Sequence, residues 1–409
     1  MKKPNQAVFL CGGLGTRLKP ITEKVPKPMA LVNNKPFLLY LIEQLKNEGI
    51  QNFLLLTGYK SSIIEDYFKD GSQFDVSIKY HHGPVSWDTG HRILMAKDFI
   101  EDTFILMYSD NYSPFSLEKS WQRINSTSTN LCLQIHRKEI GNIRLKDDKY
   151  VECYDQERSS QGLNFVEVGY IVADKSVLLN EIKPYSSLTE SIKNITNKGK
   201  SSYIYCQSKY QSISDLIRLK ETEKHLQSKK IILIDRDGTI NKRAAKMDYI
   251  KNWDDFEFIE DSVIAMEKLS NLGFKFIVIT NQAGVSRGII DINTLNDIHQ
   301  NMVSNLSKRN INIIDIFFCP HHWDSNCLCR KPMPGMLLKA SKKYNFNLSR
   351  SIYIGDDIRD VEAAYNAFSK SILLTDNYSE VNELKIKPDL YSYSLNKLIP
   401  NIVKLYNGW

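Results

Sequence analysis

The chain contains no apolar run near the roughly 18 residues that a membrane-spanning helix needs. Its opening, "MKKPNQAVFL", enters a strand-like segment without the cleavage site of a secretory signal. Both absences point to a cytoplasmic protein with no membrane partner. Basic residues are not gathered: 54 Lys and Arg against 47 Asp and Glu leave a formal charge of +7 that is spread along the chain. No basic run interleaves with aromatics, which argues against a nucleic-acid partner, whereas a surplus this small suits phosphorylated small molecules. Cysteine is sparse, with 7 in 409 residues, and Cys11, Cys132, Cys153 and Cys206 stand singly. An odd, scattered count is a poor disulfide framework and agrees with a reducing compartment. Long repeats are missing too, and the one stretch of low complexity, "NSTSTN" (125–130), reads as a loop.

What is present is ordinary globular protein, 42% hydrophobic and 25% charged, long enough for two or three domains of about 150 residues. Strand-like and helical patterns alternate, which predicts an α/β chain layered around parallel sheets. "AVFL" (7–10) reads as a strand, "PFLLYLIEQLKNEG" (36–49) as a helix opened by Pro36 and closed by Gly49, and "FLLLTGY" (53–59) as the next strand. "SSIIEDYF" follows as a helix capped by Ser61 or Ser62, and "LCLQIH" as a strand. A charged helical stretch, "LIRLKETEKHLQSKK" (216–230), precedes a fresh strand-loop start at "KKIILIDRDGT" (229–239), so a boundary between domains 1–226 and 229–409 is expected. "FKFIVITNQ" and "RSIYIGDD" are further strands ending in polar residues, and in open α/β sheets the site forms outside the carboxyl ends of such strands.

The remaining three cysteines fall together in "CPHHWDSNCLCRKP" (319–332). Cys319, His321, Cys327 and Cys329 make three thiolates and one imidazole, the closed set that structural Zn²⁺ takes. Such a clip would shape a loop that ends directly at Arg330 and Lys331. In the other motif, Asp235 and Asp237 sit two apart just past "IILI", so both can point to one side of the chain: one carboxylate to attack phosphorus, the other to handle a proton.

The set "DRDGT", "ITN", "RKP" and "GDDIRD" resembles the four motifs of the haloacid dehalogenase phosphatase superfamily. The zinc loop, "DFEFI", "ITNQAGVSRG" and "RKPMPGM" resemble its branch of heptose bisphosphate phosphatases, although the short interval between His321 and Cys327 is more like the histidinol phosphatases. The resemblance implies a Rossmannoid fold in which Asp235 becomes an aspartyl-phosphate and Asp237 serves as general acid and base. It also implies that Thr280 and Lys331 hold the phosphoryl oxygens and that Asn281, Arg287 and Arg330 meet the substrate. Mg²⁺ would be held by Asp235, Asp237 and Asp356, with Asp360 in support.

In the N-terminal half, "CGGLGTRLKPITEKVPKPM" (11–29), "NNKPFLLYLIEQL", "TGYK" and "YSDN" resemble sugar-phosphate nucleotidyltransferases, a Rossmann-like fold. That likeness implies Gly12, Gly13, Gly15 and Thr16, with Thr89 and Gly90, at the nucleotide, Arg17 and Lys27 at the triphosphate, and Asp110 at Mg²⁺. Three positions depart from the pattern: Asp88 replaces a glycine, Glu167 an asparagine, and Ser212 a second metal-binding aspartate. The expected whole is a bifunctional enzyme, possible as a homo-oligomer, that dephosphorylates a heptose 1,7-bisphosphate and activates the heptose 1-phosphate with a nucleoside triphosphate, GTP being the choice. The alternative is a phosphatase alone with a degenerate nucleotide-binding module.

Overall fold

Alternation along the first strand, Gln6–Cys11, sorts its side chains into two cores: Ala7, Phe9 and Cys11 enter one and Val8 and Leu10 the other. A strand buried on both faces reads as a continuous apolar run, as "AVFL" does. The computed structural model describes residues 2–227, 229–245 and 248–408. These form two compact units, Met1–Leu226 and Gln227–Trp409.

The first unit is built on a nine-stranded mixed sheet. Gln6–Cys11 lies between Asn52–Thr57 and Thr103–Tyr108, parallel to both, with Ser77–His82 parallel beyond. Phe165–Asp174 then pairs antiparallel with Thr103–Tyr108 and carries the sheet on to Leu131–Arg137. The helix Phe37–Asn47 sets Phe37, Leu38, Leu41, Ile42 and Leu45 into the core that Phe9 enters. Pro36 stands just before that helix, where its missing N–H costs nothing, and Gly49 follows its end.

Three local expectations are corrected. The helix Ser61–Phe68 is not capped by a serine: Lys60, in the left-handed region at φ 49°, precedes it with no side-chain cap, and both serines lie inside the first turn. The first half of the polar stretch 125–130 is helical, because Leu117–Thr127 ends inside it. Ser126 and Thr127 donate their hydroxyls back to the Arg123 carbonyl, at 3.0 and 2.6 Å, which keeps polar residues compatible with the helix until Ser128 turns left-handed. The charged helix Leu216–Leu226 ends before 227–230, and Ser228 lies outside the described residues.

The second unit holds a six-stranded parallel sheet in the spatial order Ile313–Cys319, Lys275–Asn281, Ile231–Ile234, Ile352–Gly355, Lys370–Leu374, Leu390–Ser392. Chain order thus reverses on either side of Ile231–Ile234, and a doubly wound sheet opens its crevice at that switch. Ile232 and Ile234 pack into one core and Ile231 and Leu233 into the other.

Candidate active sites

The carboxyl ends of the three central strands of the second unit deliver Asp235, Thr280 with Asn281, and Asp356 to one crevice. Between Asp237 and Asn241 the backbone turns tightly over Asp356. Gly238, at φ +90°, is the residue that permits it, since a Cβ there would lie 1.8 Å from Asp356 Oδ2. Lys331 Nζ stands 2.8 Å from Asp235 Oδ1 and 2.6 Å from Asp360 Oδ1, and all three side chains are buried. Tyr353 donates its hydroxyl to Asp360 Oδ1 at 2.9 Å. Ligand atoms of Asp235, Asp356 and Asp360 lie within 4.8 Å of one another.

Charge in this cluster is unbalanced. Burial works against the Lys331 ammonium, but Asp235 and Asp360 outweigh it and raise its pKa, so the lysine is a cation. Three carboxylates share it, and Arg243 adds a guanidinium 2.7 Å from Asp356 Oδ2. Burial pushes Asp235 up to about 8, with Lys331 opposing and the neighbouring carboxylates adding; burial likewise takes Asp356 to about 6. Crowded buried carboxyls with high proton affinity are a donor set that fits a hard divalent cation.

Asp237 is held differently. Arg236, 1% exposed, clasps it through Nη2 at 2.8 and 2.9 Å, Asn241 donates at 3.0 Å and Gln282 at 2.8 Å. Burial alone would raise its pKa, but the Arg236 charge and these donors leave it below the ordinary value. Gln282 also reaches Thr280 Oγ1 at 2.9 Å, and His299 backs Arg236 at 3.0 Å. Sequence reasoning passed over Arg236 and Gln282 although they sit inside "DRDGT" and "ITNQ". His299, on the helix Ile292–Ser307, carries no motif that would have marked it.

Asn281 clamps the backbone of Lys331, accepting its N–H at 3.0 Å and donating to its carbonyl at 3.2 Å. Arg287 lies 5.2 Å from the Trp323 ring centre and 5.7 Å from that of Tyr249, and Arg330 keeps a buried Nη1 with no hydrogen-bond partner. Both arginines line the same cleft of about 390 Å³ as Asp235 and Lys331. Next to it, Cys319, His321, Cys327 and Cys329 converge. Cys319 Sγ is 3.5 Å from Cys327 Sγ and 3.4 Å from Cys329 Sγ, and His321 Nδ1 is 3.1 Å from Cys329 Sγ. Tetrahedral Zn²⁺ with bonds of about 2.3 Å would set sulfurs about 3.8 Å apart, so the four donors fit such an ion.

In the first unit Gly12, Gly13, Gly15 and Thr16 follow the end of Gln6–Cys11. Beneath the loop lies a residue the sequence reading missed. Arg92, 4% exposed, donates to the carbonyls of Thr57 (2.9 Å), Gly83 (3.3 Å), Pro84 (2.5 Å) and Gly12 (3.5 Å). A Cβ on Gly12 would lie 2.3 Å from its guanidinium carbon, so the glycine is required by close approach. A buried cation under a Gly-rich loop favours anions above it. Lys27 Nζ pairs with Asp110 Oδ2 at 2.5 Å. The short strands Asn111–Tyr112 and Gln211–Ser212 pair, setting Ser212 opposite Asn111 and next to Asp110. Arg17, Asp110, Glu167 and Ser212 line one cleft of about 350 Å³. Thr89 Oγ1 accepts the Leu188 N–H at 3.0 Å, and Gly90 is buried against 186–188.

Comparison with known proteins assigns the two parts of the chain to two families. The nucleotidyl transferase family profile matches residues 6–255, and that of the polynucleotide kinase 3 phosphatases matches 230–378. The D-glycero-alpha-D-manno-heptose-1,7-bisphosphate 7-phosphatase of Photorhabdus laumondii is 37% identical over 148 residues, 34% of this chain and 78% of the relative. The corresponding beta-heptose enzyme of Pasteurella multocida is 32% identical over 182 residues, 43% of this chain and 97% of the relative. Among solved structures, the D,D-heptose 1,7-bisphosphate phosphatase from B. bronchiseptica, complexed with magnesium and phosphate, is 29% identical with a TM-score of 0.40, covering 43% of this chain and 98% of that one. HddC from Yersinia pseudotuberculosis is 23% identical with a TM-score of 0.47, covering 54% and 98%. The chain therefore belongs to the nucleotidyl transferase family through its N-terminal part and to the family of heptose-bisphosphate phosphatases through its C-terminal part, one polypeptide carrying both enzymes.

Proposed function

We propose that the C-terminal site removes the C7 phosphate of D-glycero-D-manno-heptose 1,7-bisphosphate and that the N-terminal site joins the resulting heptose 1-phosphate to GTP, releasing pyrophosphate. The observation that carries the reading is the buried cluster of Asp235, Lys331 and Asp360 beside a separately held Asp237. Asp235 attacks phosphorus while Lys331 and Thr280 hold the phosphoryl oxygens, and the aspartyl-phosphate is later opened by water. Asp237, positioned by Arg236, Asn241 and Gln282, passes a proton to the leaving C7 oxygen and takes one from that water. Mg²⁺, held by Asp235, the Asp237 backbone and Asp356 with Asp360 in support, supplies charge neutralisation at the phosphoryl oxygens. Arg330, with its unpartnered buried nitrogen, and Arg287 suit the remote C1 phosphate. Zn²⁺ on the Cys3His cluster fixes the loop that ends at Arg330 and Lys331. The protein works in the cytoplasm on small molecules.

In the N-terminal site Arg17, Lys27 and the Gly-rich loop meet the triphosphate and Asp110 holds Mg²⁺. A panel of both heptose 1,7-bisphosphate anomers, both 1-phosphates and four nucleoside triphosphates tests the reading. Phosphate release from the bisphosphate and pyrophosphate release with GTP are expected. Asp110→Ala should abolish the latter, while Ser212→Ala changes it by less than about tenfold, roughly 1.4 kcal/mol of barrier. Phosphate release without pyrophosphate from any combination would leave the phosphatase-only alternative standing.

A further inference from the structure

The N-terminal cleft is unusual in where its charges fall. Ser212, 5% exposed, occupies the place next to Asp110 and offers only a hydroxyl, 3.3 Å from Ser214 Oγ. Arg218, on the first turn of Leu216–Leu226, reaches over both, its Nη1 3.2 Å from Ser214 Oγ and 3.5 Å from Ser212 Oγ. Lys138 and Arg158 line the same cleft, and Lys138 and Arg218 also line an adjoining one. Among the described residues neither Lys138 nor Arg158 has an acidic partner, and that of Arg218 is Asp215, 3.5 Å away and 41% exposed. Partial burial, and then the charges of Arg158 and Arg218, lower the pKa of Lys138, so the cations lie close enough to repel one another. Like charges gathered with only one exposed counter-charge among them cost free energy that a bound anion returns.

We propose that Lys138, Arg158 and Arg218 form a metal-independent clamp for the phosphate monoester of the sugar 1-phosphate, doing with side chains what a second carboxylate-held cation would do if Ser212 were an aspartate. The assignment rests on the nucleotidyltransferase reading of this unit. Its chemistry follows from the reaction: an oxygen of the sugar phosphate forms a bond to the α-phosphorus of the triphosphate as the α–β bridging bond breaks and pyrophosphate leaves. Two anions must approach each other, and cations on the nucleophile's side lower that repulsion without neutralising Asp110. Arginine forks match phosphate oxygens in pairs, and the neighbouring serines hold the Arg218 fork in place.

The test uses the full chain. Lys138→Ala and Arg218→Ala are each expected to raise the KM for heptose 1-phosphate about tenfold or more, with the KM for GTP, the Mg²⁺ dependence and phosphate release by the C-terminal site unchanged. Ser212→Asp is expected to pair with Arg218 and raise the same KM. The clamp is overturned if the KM for heptose 1-phosphate does not move in either alanine variant, or if Ser212→Asp speeds turnover. Should wild type release no pyrophosphate, the function proposed above fails and the clamp is read by calorimetry with heptose 1-phosphate and no added divalent cation. There, about tenfold weaker binding by Arg218→Ala supports it, and unchanged binding overturns it.

Discussion

Both sites must manage negative charge on phosphorus, and they do it with opposite degrees of enclosure. In the C-terminal site Lys331, Asp235 and Asp360 are 4%, 6% and 2% exposed, and the lysine is already paired with both carboxylates before any substrate arrives. In the N-terminal site Arg17, Arg158 and Arg218 are exposed, and the buried cation, Arg92, is spent on backbone carbonyls. A buried cluster of this kind is stiff, because each charge leans on a partner whose loss leaves another uncompensated. An open rim of cations is adjustable, since water screens each charge until a polyanion displaces it. The enclosed design suits the proposed covalent phosphoenzyme, which has to be shielded; the open one suits the two anionic substrates proposed for it, which have to enter and leave.

The sharpest way to separate the two halves is Asp235→Asn. The amide keeps the size of the side chain but cannot attack phosphorus, so phosphate release should fall by roughly 10⁴-fold or more, about 5.5 kcal/mol of barrier. Pyrophosphate release should stay within about twofold, because the two sites lie in separate compact units. Parallel phosphate and pyrophosphate assays check it, and a common loss would mean that the halves are coupled.

Next in size is the proposed metal clip. Cys327→Ser removes one of four converging donors. If zinc sits there as proposed, the variant should lose it and the second unit about 4 kcal/mol of stability, because a structural metal contributes folding free energy directly. Metal analysis of purified protein and denaturant unfolding read both. A metal-free wild-type protein of full stability would show that the cluster is only a group of thiols.

The sequence showed the ends of strands more clearly than what lies beneath them. The Cys3His set and the aspartates 235, 356 and 360 are legible because chemistry confines them to short intervals after apolar strands, and the parallel sheets bring those intervals together. Arg92 was not legible: inside "WDTGHR" it reads as one more charged residue, and only the fold shows that it supports the Gly-rich loop. The clamp residues Lys138, Arg158 and Arg218 come from separate elements with no shared spacing. The helical 125–127 was hidden for a local reason, because Ser and Thr favour loops until their hydroxyls find a carbonyl one turn back.

Glu167 offers the smallest and most specific test, inside the half that is otherwise open. It is 8% exposed and accepts the Gly169 N–H through Oε1. Burial, opposed by that hydrogen bond and aided by Asp110, raises its pKa from the ordinary 4.5 to about 7. The sign follows directly. Above pH 4.5 the unfolded chain ionises this carboxyl while the folded protein keeps it protonated, so its contribution to stability is full below 4.5 and is lost as pH rises through about 7. Glu167→Gln removes the titration and keeps an oxygen for the Gly169 N–H. The stability of the variant relative to wild type should therefore improve by roughly 2 kcal/mol between about pH 5.5 and about pH 8.5. Urea unfolding of the first unit, followed without ligands across that range, measures it. A difference that stays flat with pH would mean that the Glu167 carboxylate is ionised and paired in the folded protein, and that this cleft is no less enclosed against charge than the one around Asp235.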